Sequence, residues 1–245
     1  MNTIISQNDL LSWKLKYKVR SSRDELIDYF KGKVIVLGGI PGSGKSTLGE
    51  QLAEELGGVY YPEYIQKDLF NLYLADRKKY AFSYQIIMAR ERIDTAKRAY
   101  SEAKQGKAVI IDGPLACDNA FAKMMWQDKY ISDTEYEVYQ KVLDSEIGEF
   151  IPSPDYLVYL DTNVSQALKK IKVRGRSGEY EAYKNGFLEK LRDAFQEVLS
   201  GYEIIRLPYE EDNATKDYKI PKQRLLEILG LIRDRTFKSI GLDSQ

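Results

Sequence analysis

Short apolar runs alternate with longer stretches of helical periodicity along most of this 245-residue chain. The runs have the length of buried strands, and turn-forming or acidic residues end several of them. Strands that alternate with helices indicate a parallel sheet covered by helices on both faces. The sequence therefore predicts a doubly wound α/β fold, with strands over 34–37, 59–61, 108–112, 156–161 and 202–207.

The predicted helices lie between these strands and at both ends of the sheet region, and they carry ordinary start and stop signals. Gly106 ends a long helix, and Pro221 opens the last one. Ser132 and Glu135 have the spacing of a capping box, which opens a helix to about residue 147. We predict helices over 24–31, 46–56, 83–105, 132–147 and 221–235.

The organisation of the chain indicates one domain. No linker rich in proline, glycine and serine interrupts it, and no internal repeat is present. We predict a single domain over 1–245, with a core at 33–207. Residues 1–32 would form an N-terminal extension, and residues 208–245 a C-terminal loop and helix.

A glycine-rich loop between the first strand and the next helix fits the pattern G-x-x-x-x-G-K-[ST]. Its glycines let successive backbone N–H groups converge on phosphate oxygens, and the helix adds the positive end of its dipole. The strand–loop–helix context is that of a nucleoside triphosphate site. The predicted nucleotide-binding residues are Gly39, Ile40, Pro41, Gly42, Ser43, Gly44, Lys45, Ser46 and Thr47.

Two side chains of this loop and one strand-end carboxylate predict phosphoryl chemistry with a metal ion. Lys45 should reach the β- and γ-phosphates, and the hydroxyl of Ser46 should bind Mg²⁺. Asp112 ends an apolar strand, where P-loop enzymes place a carboxylate that binds Mg²⁺ directly or through water. Its alternative role is a helix or turn cap. The predicted cofactors are ATP (or another nucleoside triphosphate) and Mg²⁺.

Further catalytic candidates are a carboxylate and two arginines. Glu63 follows a short strand, and a carboxylate there can accept the proton of a substrate hydroxyl. Arg174 and Arg176 follow a basic helical segment, and two guanidinium groups on a loop can close over a triphosphate. The alternatives are a surface glutamate and a solvated basic face.

Composition limits the acid–base groups, the binding partners and the cellular location that the protein can have. The 37 basic residues balance the 37 acidic ones, so no overall field attracts nucleic acid, and the basic segment 14–20 is interpreted as a solvated arm. The chain has no histidine, so carboxylates, lysine or tyrosine must supply acid–base chemistry. Its single cysteine, Cys117, excludes an internal disulfide. The first thirty residues lack the apolar core of a signal peptide, and no run of about 18 apolar residues could span a membrane. We therefore expect a cytoplasmic protein.

Several motifs, in order, resemble the deoxyribonucleoside kinases of the P-loop kinase superfamily over about residues 33–207. The aromatic-rich block that ends at Gln85 is the most specific of them, since many unrelated enzymes share the phosphate loop. After that loop the matching motifs are Pro62-Glu63, 80–85, Arg92, Asp112, Asp118, Pro154-Asp155 and 174–179. The resemblance implies transfer of phosphate from Mg²⁺–ATP to the 5′-hydroxyl of a deoxyribonucleoside.

The resemblance also implies a pocket for the base. Gln85 would pair with the base edge and Tyr84 would stack on the base, while Arg92 and Asp118 would form a charged pair that shapes the pocket. Independently, Gln85 and Arg92 are seven residues apart, nearly two helical turns, so they should share one helix face.

The remaining roles implied by the resemblance concern the sugar and the reacting groups. Tyr73, or a close neighbour, and Glu179 would hold the sugar 3′-hydroxyl. Glu63 would be the general base, and Arg174 and Arg176 would belong to a closing lid.

One departure from the family lies directly after the strand-end acid. The family has an arginine there that contacts the catalytic carboxylate, whereas this chain has Gly113-Pro114, which supplies no guanidinium. Another cation such as Arg90 or Lys67 would then fill the space, or the acceptor would lie differently, or phosphorylation of free nucleosides would be weak. Without an adjoining guanidinium, Glu63 is expected to bind its proton more readily, so activity would be lost at a higher pH.

Two alternative functions remain open from the sequence. One is a related kinase that acts on a different hydroxyl, in a nucleoside monophosphate or in a hydroxymethylated base of a nucleotide or DNA. The other is an inactive structural homologue. Members of this family commonly dimerise, so the resemblance implies a homodimer as one possibility. The sequence does not decide the oligomeric state.

Overall fold

The computed structural model describes residues 22–146, 151–209 and 218–239, and side chains as far as residue 234. This part of the chain forms five strands and ten helices. The strands are β1 (Val34–Gly38), β2 (Val59–Tyr61), β3 (Val109–Asp112), β4 (Tyr156–Asp161) and β5 (Ile205–Pro208). The helices are α1 (Arg23–Phe30), α2 (Lys45–Leu56), α3 (Lys67–Ala75), α4 (Arg77–Lys104), α5 (Leu115–Gln127), α6 (Asp133–Asp144), α7 (Val164–Arg174), α8 (Glu179–Tyr183), α9 (Phe187–Leu199) and α10 (Lys222–Ser239).

All five strands form one parallel sheet in the order β2-β3-β1-β4-β5. The central strand β1 pairs with β3 on one side, with Leu37 opposite Asp112, and with β4 on the other. Parallel strands place their carboxyl ends at the same edge, where ligands of open α/β sheets bind. The predicted doubly wound α/β fold is confirmed.

Helices cover both faces of the sheet because alternate strand residues point to opposite sides. Val34 and Val36 of β1 face a core shared with α4, α5 and α9, whereas Ile35 and Leu37 face a core shared with α1, α2 and α10. The strands are therefore buried on both faces, which explains their continuous apolar sequence.

The predicted strand positions agree with the structure, and several element boundaries differ by a few residues. β5 begins at Ile205 instead of 202, because Tyr202 lies half exposed in the turn after α9. α4 begins at Arg77 instead of 83, because the side chain of Asp76 accepts a hydrogen bond from the backbone N–H of Lys79 and so caps the helix there. The capping box of α6 is present, and this helix ends at Asp144. The basic segment 14–20 lies outside the described residues.

Helices α3, α5, α8 and α9 were not predicted as elements. In α5 most buried positions carry small residues, among them Ala116, Ala120 and Ala122, which give a weak hydrophobic signal. Pro114 caps the start of α5, so the Gly113-Pro114 break after β3 also begins a helix. This helix packs against α9 and forms one wall of the cleft described below.

A buried glutamine joins α2 to the segment before α10. The side chain of Gln51 is 6% exposed; its amide donates to the carbonyl of Tyr218 at 2.9 Å and accepts from the N–H of Ile220 at 2.8 Å. Both backbone groups belong to the segment that leads into the last helix. Gln51 therefore fixes the C-terminal helix against the helix of the phosphate loop.

We predict that Gln51→Ala destabilises the protein by about 1–3 kcal/mol, because it leaves two backbone groups without their partner. The free energy of unfolding in urea measures this loss. Glu54→Ala, on the same helix, is the control, because the side chain of Glu54 is 73% exposed and lies 3.8 Å from that of the exposed Lys219. Equal stability of the two variants would contradict the prediction.

Candidate active site

A cleft of about 500 Å³ opens at the carboxyl ends of β1, β2 and β3. This volume is within the range of small-molecule sites. It is enclosed mainly by the phosphate loop, by helices α4 and α5 with a pocket between them, and by the segment from the end of α7 into α8. The predicted site residues that line it are Gly39, Pro41, Gly42, Gly44, Lys45, Ser46, Thr47, Glu63, Tyr84, Gln85, Arg92, Asp118, Arg174, Arg176 and Glu179.

The phosphate loop wraps tightly around the start of α2. Gly42 has a φ of +79°, and a Cβ there would lie 2.4 Å from the carbonyl oxygen of Ala167, so a side chain is excluded. The ammonium of Lys45 donates to the carbonyls of Gly39 at 2.8 Å and Ile40 at 3.3 Å. It is thereby held across the mouth of the loop, where a phosphate would meet it.

Two predicted members of the loop, Ile40 and Ser43, do not line the cleft. Both side chains are buried in the protein interior. The backbone N–H of Ser43 donates to the carbonyl of Ile40, and the carbonyl of Ser43 accepts from the hydroxyl of Thr162. These residues shape the loop from behind.

Ser46 and Asp112 meet at the base of the loop. The Ser46 hydroxyl donates to Oδ2 of Asp112 at 2.7 Å, and the Tyr60 hydroxyl donates to the same oxygen at 3.1 Å. The other oxygen, Oδ1, is buried and makes no hydrogen bond with the described residues. A hydroxyl beside an oriented carboxylate with one unused oxygen is a donor set that suits Mg²⁺. The residues therefore fit the predicted metal.

The pocket between α4 and α5 is aromatic with a polar floor. Gln85 is 2% exposed, and its amide makes no hydrogen bond within the described part of the chain. Tyr84, Met88 and Phe121 line the same pocket. Gln85 and Arg92 share one face of α4, as their spacing predicts, whereas Ala89 faces away toward α6.

Arg92 forms the polar floor of this pocket and joins two carboxylates. Its Nε pairs with Oδ2 of Asp118 in a short contact, and its Nη2 donates to Oε1 of Glu63 at 2.8 Å. Arg92 and Asp118 are each about 9% exposed, whereas the side chain of Glu63 is 35% exposed and accessible from the cleft. Glu63 is thus the most exposed member of the trio.

The pKa values of the two carboxylates diverge. Burial raises the pKa of Asp118 to about 6, although Arg92 opposes the rise, and the nearby Glu63 adds to it. Desolvation also raises the pKa of Glu63, but Arg92, Lys45 and Arg176 together outweigh it, so this pKa lies below its ordinary value. Glu63 is therefore ionised at neutral pH.

The cation expected in place of the family's arginine is neither Arg90 nor Lys67. Arg90 pairs with Asp94 on the exposed side of α4, and Lys67 is an exposed residue at the start of α3. Arg92 fills the space instead, since its guanidinium lies against Gly113. The expectation that Glu63 lacks a guanidinium and has a raised pKa is therefore wrong.

The arginines that were predicted for a lid lie at the end of α7. Nε and Nη2 of Arg174 contact the two carboxylate oxygens of Glu179 at 3.1 and 2.5 Å, and Arg176 lies 3.7 Å from one of them. Glu179 is 2% exposed, so these contacts compensate a buried charge. The pairs place the arginines and Glu179 on one wall of the cleft.

Tyr73 does not line the cleft, which corrects the expectation that its hydroxyl holds a sugar. Its ring is fully buried and stacks on Tyr84 with centroids 4.8 Å apart, and its hydroxyl donates to the sulfur of Met125. Tyr73 supports Tyr84 from behind. Tyr183, four residues after Glu179 in sequence, lines the cleft instead.

The sequence reasoning missed several residues of the cleft. Tyr60 belongs to a short strand and carries no motif, and its contact with Asp112 arises only from sheet pairing. Phe121 and Tyr183 come from helices that were not predicted. Lys170 lies four residues before Arg174, and the basic run around it was the available signal.

This combination of fold and cleft defines a P-loop phosphotransferase. Comparison with known proteins specifies the class further, because a family model described as deoxynucleoside kinase matches residues 35–225. The chain belongs to the deoxynucleoside kinase family. It is a kinase that transfers a phosphoryl group to a hydroxyl, which confirms the predicted activity and does not favour the alternative acceptors or an inactive homologue.

Individual relatives and solved structures agree with this assignment. The chain is 30% identical to a deoxyadenosine kinase of Lactobacillus acidophilus over 79% of its own length and 87% of that protein. It is 29% identical to a deoxyadenosine kinase of Dictyostelium discoideum over 74% of each chain. Deoxyadenosine kinase from M. mycoides, solved with bound dATP, superposes with a TM-score of 0.64 at 25% identity, over 83% of this chain and 98% of that one. Within the described ranges, no helix is both long and apolar enough to cross a membrane.

The raised pKa of Asp118 predicts an acid limb in the activity of this kinase. Above about pH 6 Asp118 is ionised and binds Arg92; below it the carboxyl is neutral and the pocket loses its anion. We therefore expect kcat/KM for the nucleoside to fall as the pH drops through about 6. In Asp118→Asn, steady-state kinetics across this range should show a lower kcat/KM and no decline near that pH, and an unmoved limb would contradict the assignment.

Proposed function

We propose that this kinase transfers the γ-phosphoryl group of Mg²⁺–ATP to the 5′-hydroxyl of a deoxyribonucleoside, with Glu63 as the general base. One observation carries the proposal: the ionised, accessible carboxylate of Glu63 lies between the phosphate loop and the aromatic pocket of Gln85. A hydroxyl presented from the pocket meets Glu63 on its way to the phosphate.

The pocket supports a nucleobase as the buried part of the acceptor. Tyr84 and Phe121 supply aromatic surface, and the free amide of Gln85 offers a donor and an acceptor to a base edge. Such an amide matches the N6 and N7 groups of adenine. Since the relatives reported above are deoxyadenosine kinases, deoxyadenosine is the first nucleoside to assay.

The opposite end of the cleft supports the donor. Backbone N–H groups of the loop and the ammonium of Lys45 would bind the phosphates, and Ser46 and Asp112 would hold Mg²⁺. When bound, this ion neutralises charge on the β- and γ-phosphates. The hydroxyl of Tyr60 donates to the same oxygen of Asp112 as Ser46 does and helps to orient this carboxylate.

The chain's own residues then perform three tasks during transfer. Glu63 accepts the proton of the attacking hydroxyl, and Arg92 keeps that carboxylate ionised and oriented. Lys45, Arg174 and Arg176 provide positive charge around the transferring phosphoryl group. Glu179, on the same wall, is placed to contact the sugar.

We also propose a cytoplasmic location, which the single buried, free thiol of Cys117 supports. The homodimer implied by the family stays a prediction, as does the division of the chain into one domain with two extensions.

We expect Glu63→Gln to lower kcat by about 10²- to 10⁴-fold, the usual contribution of a general base. The KM for ATP should stay unchanged, because the lost interaction belongs to the transition state. Steady-state kinetics with deoxyadenosine measure both values. Glu137→Gln removes an exposed carboxylate on α6 and serves as the control. A near-normal kcat in Glu63→Gln would exclude the proposed mechanism.

We expect Gln85→Ala to reduce kcat/KM for the nucleoside by about 5- to 150-fold, the effect of losing hydrogen bonds worth about 1–3 kcal/mol in a dry site. The ATP affinity should not change, since Gln85 lies in the pocket and not at the phosphate loop. Nucleoside and ATP titrations separate the two effects, with Gln196→Ala on the exposed face of α9 as the control. Weaker ATP binding with unaltered nucleoside kinetics would reverse the assignment of the two sites.

A further inference from the structure

The end of β3 has room for the guanidinium of Arg92 only because residue 113 is glycine. A Cβ at Gly113 would lie 2.0 Å from Nη1 of Arg92 and 2.8 Å from its Cζ. Contacts this short are forbidden, and Gly113 also has a φ of +89°, which favours glycine. A side chain at position 113 and Arg92 in its observed place therefore exclude each other.

We infer that Gly113 is a positioning residue that acts through Arg92, and that its missing side chain lets one guanidinium serve the catalytic carboxylate and the nucleoside pocket together. This inference rests on the proposed function of Glu63. It gives a role to the Gly113-Pro114 sequence, the point at which this chain departs from its family.

The hydrogen bonds of Arg92 show how firmly the guanidinium is held. Nη1 donates to the carbonyls of Asp112 at 2.8 Å and Gly113 at 2.9 Å, so the end of β3 fixes one side of the group. Nη2 donates to Glu63, and Nε faces Asp118. The two Nη atoms thus make three hydrogen bonds, Nε lies in ion-pair contact with Asp118, and the side chain is 9% exposed. A group held in this way cannot move without breaking several contacts.

Both ends of the reaction depend on this one cation. On one side it orients Glu63, which faces the reacting hydroxyl; on the other it holds Asp118, which lines the base pocket. Displacement of Arg92 should therefore lower kcat through Glu63 and raise the nucleoside KM through Asp118. It should leave the ATP KM unchanged, because within the described residues Lys45 bonds to the carbonyls of Gly39 and Ile40, and no hydrogen bond joins it or the phosphate loop to Arg92. A purely structural defect would not separate the two substrates in this way.

Gly113→Ala tests the inference without changing any charged or hydrogen-bonding side chain. We expect kcat to fall by roughly 10- to 100-fold, the scale of a misplaced catalytic group, together with a raised nucleoside KM. Gly106→Ala is the matched control: Gly106 has a φ of +86°, and a Cβ there meets no atom within 4 Å. The control carries the backbone strain of a left-handed alanine but should keep normal kinetics.

A double-mutant cycle decides whether the effect passes through Arg92. In an Arg92→Ala background the guanidinium is gone, and the methyl group of Gly113→Ala fits into the space that it left. The second substitution should then change kcat and nucleoside affinity less than about twofold, which is strong non-additivity. Calorimetric titration of deoxyadenosine completes the cycle even if the turnover of Arg92→Ala is too slow to measure.

Stability provides a second readout if Gly113→Ala alone does not fold. The double variant should fold. Gly113→Ala should lower the thermal stability of the Arg92→Ala protein less than it lowers that of the wild type. Additive losses in kinetics and stability, or normal kinetics in Gly113→Ala, would overturn the inference. Loss of kcat in Glu63→Gln with no effect of Gly113→Ala would reject this inference alone, whereas a fully active Glu63→Gln would reject the proposed function itself.

Discussion

The buried guanidinium of Arg92 is the interaction on which the arrangement of the cleft depends. Removing a charge from water is expensive, and this one is compensated by two carboxylates and two backbone carbonyls. These partners come from the end of β3, the segment after β2, and α5. One side chain of α4 thereby sets the positions of three separate elements relative to each other. The carboxylate that we propose as the base and the pocket that we propose for the nucleoside share this support.

The parallel sheet makes such an arrangement possible. Because all five strands run in the same direction, the phosphate loop, Glu63 and Asp112 all emerge at one edge. The loop binds phosphate with backbone groups and needs only a few side chains. The pocket, by contrast, is built from side chains of two helices that stand over the same edge. In the proposed reaction, donor and acceptor would therefore be bound by different physical means, with Glu63 where the two regions meet.

Local patterns predicted the elements that carry strong signals. The apolar strands, the phosphate loop and the capping box of α6 each depend on residues close together in sequence, so their physics is already present in a short segment. The same holds for the shared face of Gln85 and Arg92, which follows from helical geometry alone. Helices rich in alanine, such as α5, were not predicted, because buried small residues give little periodic contrast in hydrophobicity.

By itself, the sequence determined the fold class and the family, and it predicted the phosphate site, because spacing along the chain encodes their motifs. Only the tertiary structure decided which cation accompanies Glu63, since Arg92 reaches it across 29 positions of sequence. Position alone made Arg90 and Lys67 equally plausible, and only packing shows that Gly113 leaves space for Arg92. For the same reason, only the structure shows that Tyr73 lies outside the pocket and that Tyr60 contacts Asp112. Contacts between distant segments depend on how helices pack over the sheet, and that packing is a property of the whole fold.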